Sequence, residues 1–221
     1  MSIRESTTRY TKNLYMALGR ERTHLHAHLA RLSVLYEDLR LELYAVSEPE
    51  VRFLDGTGVN FRKQYFMRRA IGTTLEFAEA FRLLNEHVDF PHIRDQFTEE
   101  HRAIWQRCVE FFATHESQLQ TIRNDIGGHF GYKAALYAVQ HFSSHADGSI
   151  KVRRDYRKRK GGVWYELAEE IAATAMGRQK RPGETSKEFF ARTFQLLSEC
   201  FEHAVQGTDL LTVVYTLDRF R

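Results

Sequence analysis

Between Ile122 and Gly131 the chain holds Arg123, Asn124, Asp125, a glycine pair at Gly127 and Gly128, and His129. Arg123 is a permanent, planar cation suited to a phosphate. His129 has the one side chain whose ordinary pKa, about 6.5, suits proton transfer in both directions near neutrality. Asn124 and Asp125 add groups that can orient a substrate or a catalytic neighbour. Such a set can hold a phosphate and move a proton.

These side chains can act together only if the chain bends. In an unbroken helix, six positions amount to roughly 600° of rotation, so Arg123 and His129 would point well apart. The glycine pair removes that constraint, because glycine is the usual residue just past a helix C-terminus. Upstream, Phe97, His101, Ile104, Cys108, Phe111, His115, Leu119 and Ile122 recur at helical spacing and predict a helix ending at Ile122. Downstream, Tyr132, Leu136, Val139 and Phe142 predict another. His129 would open that second helix, where free backbone N–H groups and the helix dipole favour an anion. The competing reading is a plain interhelical turn, with Arg123 on solvent and His129 as an N-terminal cap.

The arrangement resembles the HEPN superfamily, small helical bundles whose catalytic members are metal-independent ribonucleases. Their motif is an arginine followed, after four to six residues, by a histidine, often with a polar residue directly after the arginine. Arg123, Asn124 and His129 match it, with five residues between arginine and histidine. Arg20/His26, Arg22/His28, Arg82/His87 and Arg94/His101 fall within the same spacing. Arg123/His129 is set apart by Asn124, by the glycine break and by its place between two helices. The resemblance implies a homodimer with two motifs facing one cleft, Arg123 holding the phosphate and His129 serving as general acid/base. It also implies a toxin–antitoxin or antiviral-defence setting, with an antitoxin or other neutralising protein as partner.

The rest of the chain predicts an all-α bundle of six or seven helices, forming one domain over residues 1–221. A four-helix core over about 11–146 would be followed by a basic loop, 147–162, and C-terminal helices, 163–221. Leu25, Leu29, Leu32, Tyr36, Leu39 and Leu43 step by four and three, so the first helix is expected from about Thr11 to Val46, with Gly19 as a bend. Asp55-Gly56-Thr57-Gly58 reads as a turn. Ala70, Thr74, Phe77, Phe81, Leu84 and Val88 mark the second helix, with Arg62, Lys63, Arg68 and Arg69 on its outer face. Pro91 breaks the pattern, and Thr98 is the expected N-cap of the third helix, with Glu99 and Glu100 in its first turn. Trp105 and Phe112 are expected in the core or at an interface.

Ile150 to Gly162 holds Lys151, Arg153, Arg154, Arg157, Lys158, Arg159 and Lys160 against Asp155, seven bases and one acid for a local charge of +6. Tyr156 and Trp164 offer stacking surfaces, so RNA contact is expected here, with Arg153, Arg154, Arg157, Lys158, Arg159 and Lys160 on phosphates. A solvated loop is the alternative, and the loose alternation of Ile150, Val152 and Tyr156 leaves a short hairpin open. Two helices follow, marked by Trp164, Ala168, Ile171 and Ala175, then by Phe190, Phe194, Leu197, Phe201 and Ala204. Gly177 to Gly183, with Pro182, connects them. Thr208-Asp209 is expected to cap a last helix, Leu210 to Phe220.

Composition narrows the classes. The 221 residues are 43% hydrophobic, enough for a core, and 28% charged. A net charge of +3 makes any nucleic-acid surface local. Cys108 and Cys200 lack metal-ligand spacing and read as buried thiols in a reducing compartment. No apolar run approaches the ~20 residues of a membrane helix, and Met1 to Tyr10 is polar and charged, so a cytoplasmic protein without a membrane partner is expected. His24/His28 are spaced for a metal pair, but no carboxylate or cysteine joins them at metal spacing. His141/His145 share that spacing but lie about two to three turns or more from His129 and read as surface histidines near a helix C-terminus. No paired Glu-x-x-His motif of the di-iron kind occurs. No cofactor or metal is expected. The other reading of function is a catalytically silent HEPN-like protein that binds nucleotide, RNA or a partner.

Overall fold

Large apolar residues spaced by four and three build helices where they recur. The computed structural model describes residues 23–47, 59–126, 132–141, 150–155, 160–165 and 167–216, and has seven α-helices among them. These are α1 (Thr23–Ser47), α2 (Val59–Glu86), a single turn α3 (Pro91–Arg94), α4 (Glu99–Ile126), α5 (Tyr132–His141), α6 (Leu167–Met176) and α7 (Ser186–Leu211). The chain is an all-α helical bundle, as its periodicity predicts, carrying one antiparallel hairpin of β1 (Ile150–Asp155) and β2 (Lys160–Tyr165). The N-terminal extension of the first helix, the Asp55–Gly58 turn and Phe142 lie outside the described residues.

Sequence signals fix several helix ends. Thr98 caps α4, its Oγ1 accepting a hydrogen bond from the His101 N–H at 3.2 Å, and Glu99 and Glu100 occupy the first turn. Pro91 sits at the first position of α3, where its missing N–H costs nothing. Thr185 and Glu188 form a reciprocal capping box at the start of α7: the Thr185 N–H donates to Glu188 Oε2 at 2.8 Å, and the Glu188 N–H donates to Thr185 Oγ1 at 3.2 Å. Just before it, the Glu184 N–H closes a turn onto the Arg181 carbonyl at 3.0 Å. Pro182 and Gly183 are its central residues, and Gly183 has φ +78°, the left-handed value that a type II turn needs at that position.

The chain divides into two compact units, and the division falls within α1, α2, α4 and α7. One unit draws on residues 1–37, 76–114 and 202–221. Its core is aromatic: ring centroids lie 5.1 Å apart for Phe81 and Phe112, 5.2 Å for Phe81 and Trp105, and 4.9 Å for Phe90 and Trp105. The Trp105 indole N–H donates to Asn85 Oδ1 at 2.9 Å, satisfying the one polar atom in the cluster. Gly207 of α7 lies so close to Phe81 that a Cβ would stand 2.5 Å from the ring, so only glycine admits this contact. The other unit draws on residues 38–75 and 115–201. Leu39, Met67, Ala70, Ile71, Leu119, Ile122 and Leu197 are buried in its core, and α5 packs against α6.

Several expectations change. α4 continues past Ile122 to Ile126. Val88 is exposed, because α2 has ended at Glu86. The Tyr132, Leu136, Val139 stripe of α5 faces outward, at 80%, 41% and 71% exposure, while Ala134 and Ala138 are buried. Trp164 belongs to β2, and the helix after it starts only at Leu167. Thr208-Asp209 caps nothing, since α7 runs through it to Leu211 and continues into a π-helical turn, Thr212–Thr216. Arg62 is 7% exposed, not on an outer face.

Candidate functional site

The last turn of α4 carries the first half of the motif. Arg123 and Asn124 are both exposed there, and Asp125 lies in the same turn. A cation belongs here, because the unpaired carbonyls of a helix C-terminus carry partial negative charge. Gln120, one turn earlier, donates from Nε2 to Asn124 Oδ1 at 2.7 Å, and Arg123 Nη1 donates to the same oxygen at 3.4 Å. Asn124 is thereby held beside Arg123, with the guanidinium open to solvent. Because α4 runs through these residues, they share a helical turn rather than following the helix end.

His129 lies outside the described residues, so the approach of Arg123 to His129 is a matter of sequence alone. α5 begins at Tyr132 with no acidic residue in its first turn and with Lys133 exposed. That end of α5 offers an anion both backbone N–H groups and a nearby cation.

The hairpin carries the basic run. Arg153 and Arg154 are consecutive in β1 and pair with Gly162 and Gly161, and Lys160 opens β2 opposite Asp155. Two arginines thus stand across from residues without side chains. Arg157, Lys158 and Arg159 lie outside the described residues. The β-branched and aromatic residues Val152, Val163, Trp164 and Tyr165 favour extended chain over helix in this stretch.

The remaining candidates take structural places. Cys108 and Cys200 are buried free thiols, and burial pushes them up to about 11 and about 12, so neither serves as a thiolate near neutrality. His28 meets His87 edge-on, with ring centroids 5.5 Å apart, and its pKa is lowered by burial first and by His87 second. His141 stacks on Tyr137 at 4.0 Å; its expected partner, His145, lies outside the described residues. Among the described residues, no three His, Cys, Asp or Glu side chains converge as metal ligands. No helix among them is long and apolar enough to cross a membrane. Lys63, expected on an outer face, lines a cavity of about 600 Å³ together with Gln64, Glu169 and Glu170, a grouping that no sequence spacing signals.

Compared with known protein families, curated proteins and solved structures, the chain matches none of them.

Proposed function

We propose that the protein is a HEPN-like endoribonuclease that cleaves RNA without a metal ion, through Arg123 and His129. The observation that carries this reading is the exposed, adjacent pair Arg123 and Asn124 on the last turn of α4. His129 follows in the short stretch before α5. In the reaction, the ribose 2′-hydroxyl attacks the adjacent phosphorus and loses its proton to a general base. The bond from phosphorus to the 5′-oxygen breaks, and a general acid protonates that leaving oxygen. A 2′,3′-cyclic phosphate and a 5′-hydroxyl result. Arg123 holds the phosphate and stabilises the charge that develops on it. Asn124 and Asp125 orient Arg123 or the substrate.

One histidine cannot be base and acid in the same instant, so two copies of the motif across a two-fold axis complete the set. The outward apolar stripe of α5, Tyr132, Leu136 and Val139, directly follows the motif and gives such a pairing an apolar face. The basic hairpin supplies phosphate contacts away from the scissile bond. The resemblance to HEPN proteins supports a toxin–antitoxin or defence setting, with a neutralising protein as partner.

The test is RNA digestion in excess chelator. Wild-type protein should cleave and leave cyclic phosphate ends. Arg123→Ala and His129→Ala should each abolish cleavage with helicity and melting nearly unchanged; Arg123 is exposed. Full activity in His129→Ala would end the ribonuclease proposal. Retained RNA binding without cleavage by wild-type protein would favour the silent binder.

A further inference from the structure

A histidine closes the turn that leaves α2. His87 directly follows Glu86, the last residue of that helix, and its Nδ1 accepts the Asp89 N–H at 3.1 Å. The His87 carbonyl accepts the Phe90 N–H at 2.9 Å, so both bonds shape the same turn. In an imidazolium both ring nitrogens are donors, so the contact with the Asp89 N–H exists only while His87 is neutral. The turn is tied to the aromatic core of its unit. Phe90 is fully buried, with its ring centroid 4.9 Å from Trp105 and 6.3 Å from Phe97.

A second partner for the same nitrogen stands nearby. Asp89 Oδ2 lies 3.9 Å from His87 Nδ1, too far for a hydrogen bond but close enough to attract a charge. The C-terminal end of α2 favours a cation as well. His28 of α1 meets the His87 ring edge-on at 5.5 Å. It is the member of the pair that stays neutral, because burial first, then His87, Arg31 and His24, disfavour its charged form. Arg31 is itself engaged by Glu79 at 2.7 Å, with Glu76 at 3.9 Å, and Glu86 faces Arg82 at 3.3 Å. Each of these residues belongs to the first unit.

We propose that His87 is an acid-sensitive latch on the turn between α2 and α3: on taking a proton it exchanges the Asp89 N–H for the Asp89 carboxylate, and the seat of Phe90 beside Trp105 loosens. The proton comes from solvent onto Nδ1, and no covalent bond of the chain changes. The exchange leaves the Asp89 N–H without its acceptor, so the turn is held above the imidazole range and released as pH falls through it.

The experiment uses the full chain carrying Trp164→Phe, which leaves Trp105 as its one tryptophan. Fluorescence and NMR of amides and imidazoles are followed from about pH 7.5 to about pH 5, the range that brackets histidine titration. The Asp89 amide, the His87 ring and the Trp105 emission should move together in a one-proton transition. His87→Asn supplies an acceptor that does not titrate and that bonds the N–H two residues on. It should abolish the transition and keep the neutral-pH fold. Should that variant fail to fold, Asp89→Asn, which keeps the N–H and removes the carboxylate, should move the transition to more acidic pH by about half a unit or more. An Asp89 amide or a Trp105 emission that stays flat, a transition that survives in His87→Asn, or one unmoved in Asp89→Asn would overturn the proposal.

Discussion

Arg192 grips Glu184 with two donors, Nε to Oε1 at 2.8 Å and Nη2 to Oε2 at 2.9 Å, and the Arg181 N–H adds a third contact at 2.8 Å. These bonds, the Arg192 guanidinium first, hold the Glu184 carboxyl down at about 2. A carboxyl depressed in the folded state stabilises the fold above its unfolded pKa, and loses that contribution as pH falls through the folded value. Glu184→Gln should therefore melt below wild type at neutral pH, with the gap closing between the ordinary carboxylate range and about pH 2. Glu42 behaves oppositely. It is buried, with Oε1 3.5 Å from Arg69 Nε, and burial raises its pKa despite help from Thr73 and Arg69. Its protonated form favours the fold, and that stability is lost as pH rises through the raised pKa. Glu42→Gln should melt above wild type at neutral pH, with the gain vanishing on acidification. Thermal scans across pH check both, and a parallel response of the two variants would refute the assignment. Neither environment was legible in the sequence, because a charged residue in a helix reads as solvent-facing by default. Arg62 shows the same error: it is a charged residue of α2 that is buried.

Helices α1, α2 and α4 were legible because their inward faces are built from large residues at regular steps. Leu25, Leu32 and Leu39, then Phe77, Phe81 and Leu84, then Leu119 and Ile122 are all buried as spaced. The start of α4 was legible too, since Thr98 with Glu99 and Glu100 carries a cap and a favourable charge pattern. α5 was misread for a physical reason. It packs against α6 and its buried residues are Ala134 and Ala138; small residues suit close packing, so its largest residues are left on the outside. Two substitutions separate the faces. Ala138→Leu should overpack that contact and cost about 1–3 kcal/mol in chemical denaturation. Leu136→Ser should leave the monomer fold nearly as stable but weaken self-association; equal destabilisation by both would reverse the assignment of faces. The hairpin is a separate element with its own test. Replacing Arg153, Arg154, Arg157, Lys158, Arg159 and Lys160 by Gln should flatten the log–log salt dependence of RNA binding by up to about 0.7 per lost single-strand contact. An unchanged slope would return the run to plain solvation. At this scale the sequence located Arg123 and Asn124 near a helix end; the large apolar stripe stops at Ile122, but α4 runs on to Ile126, just before the glycine pair that marks its end.

For the whole molecule, the proposed composite site calls for two chains. Light scattering at micromolar concentration should report about twice the 26.0 kDa chain mass. A stable monomer that still cleaves RNA would remove the need for paired motifs. An inactive monomer would favour the silent-binder reading.

The interleaving of the two units also bears on how the chain is made. Phe81 and Trp105 leave the ribosome long before Gly207, the residue shaped to lie against Phe81. At about 5–20 residues per second, the delay is on the order of ten seconds. During that interval the nascent chain holds an aromatic cluster whose covering helix has not yet been synthesised. Closure of that unit is therefore a late event of biosynthesis.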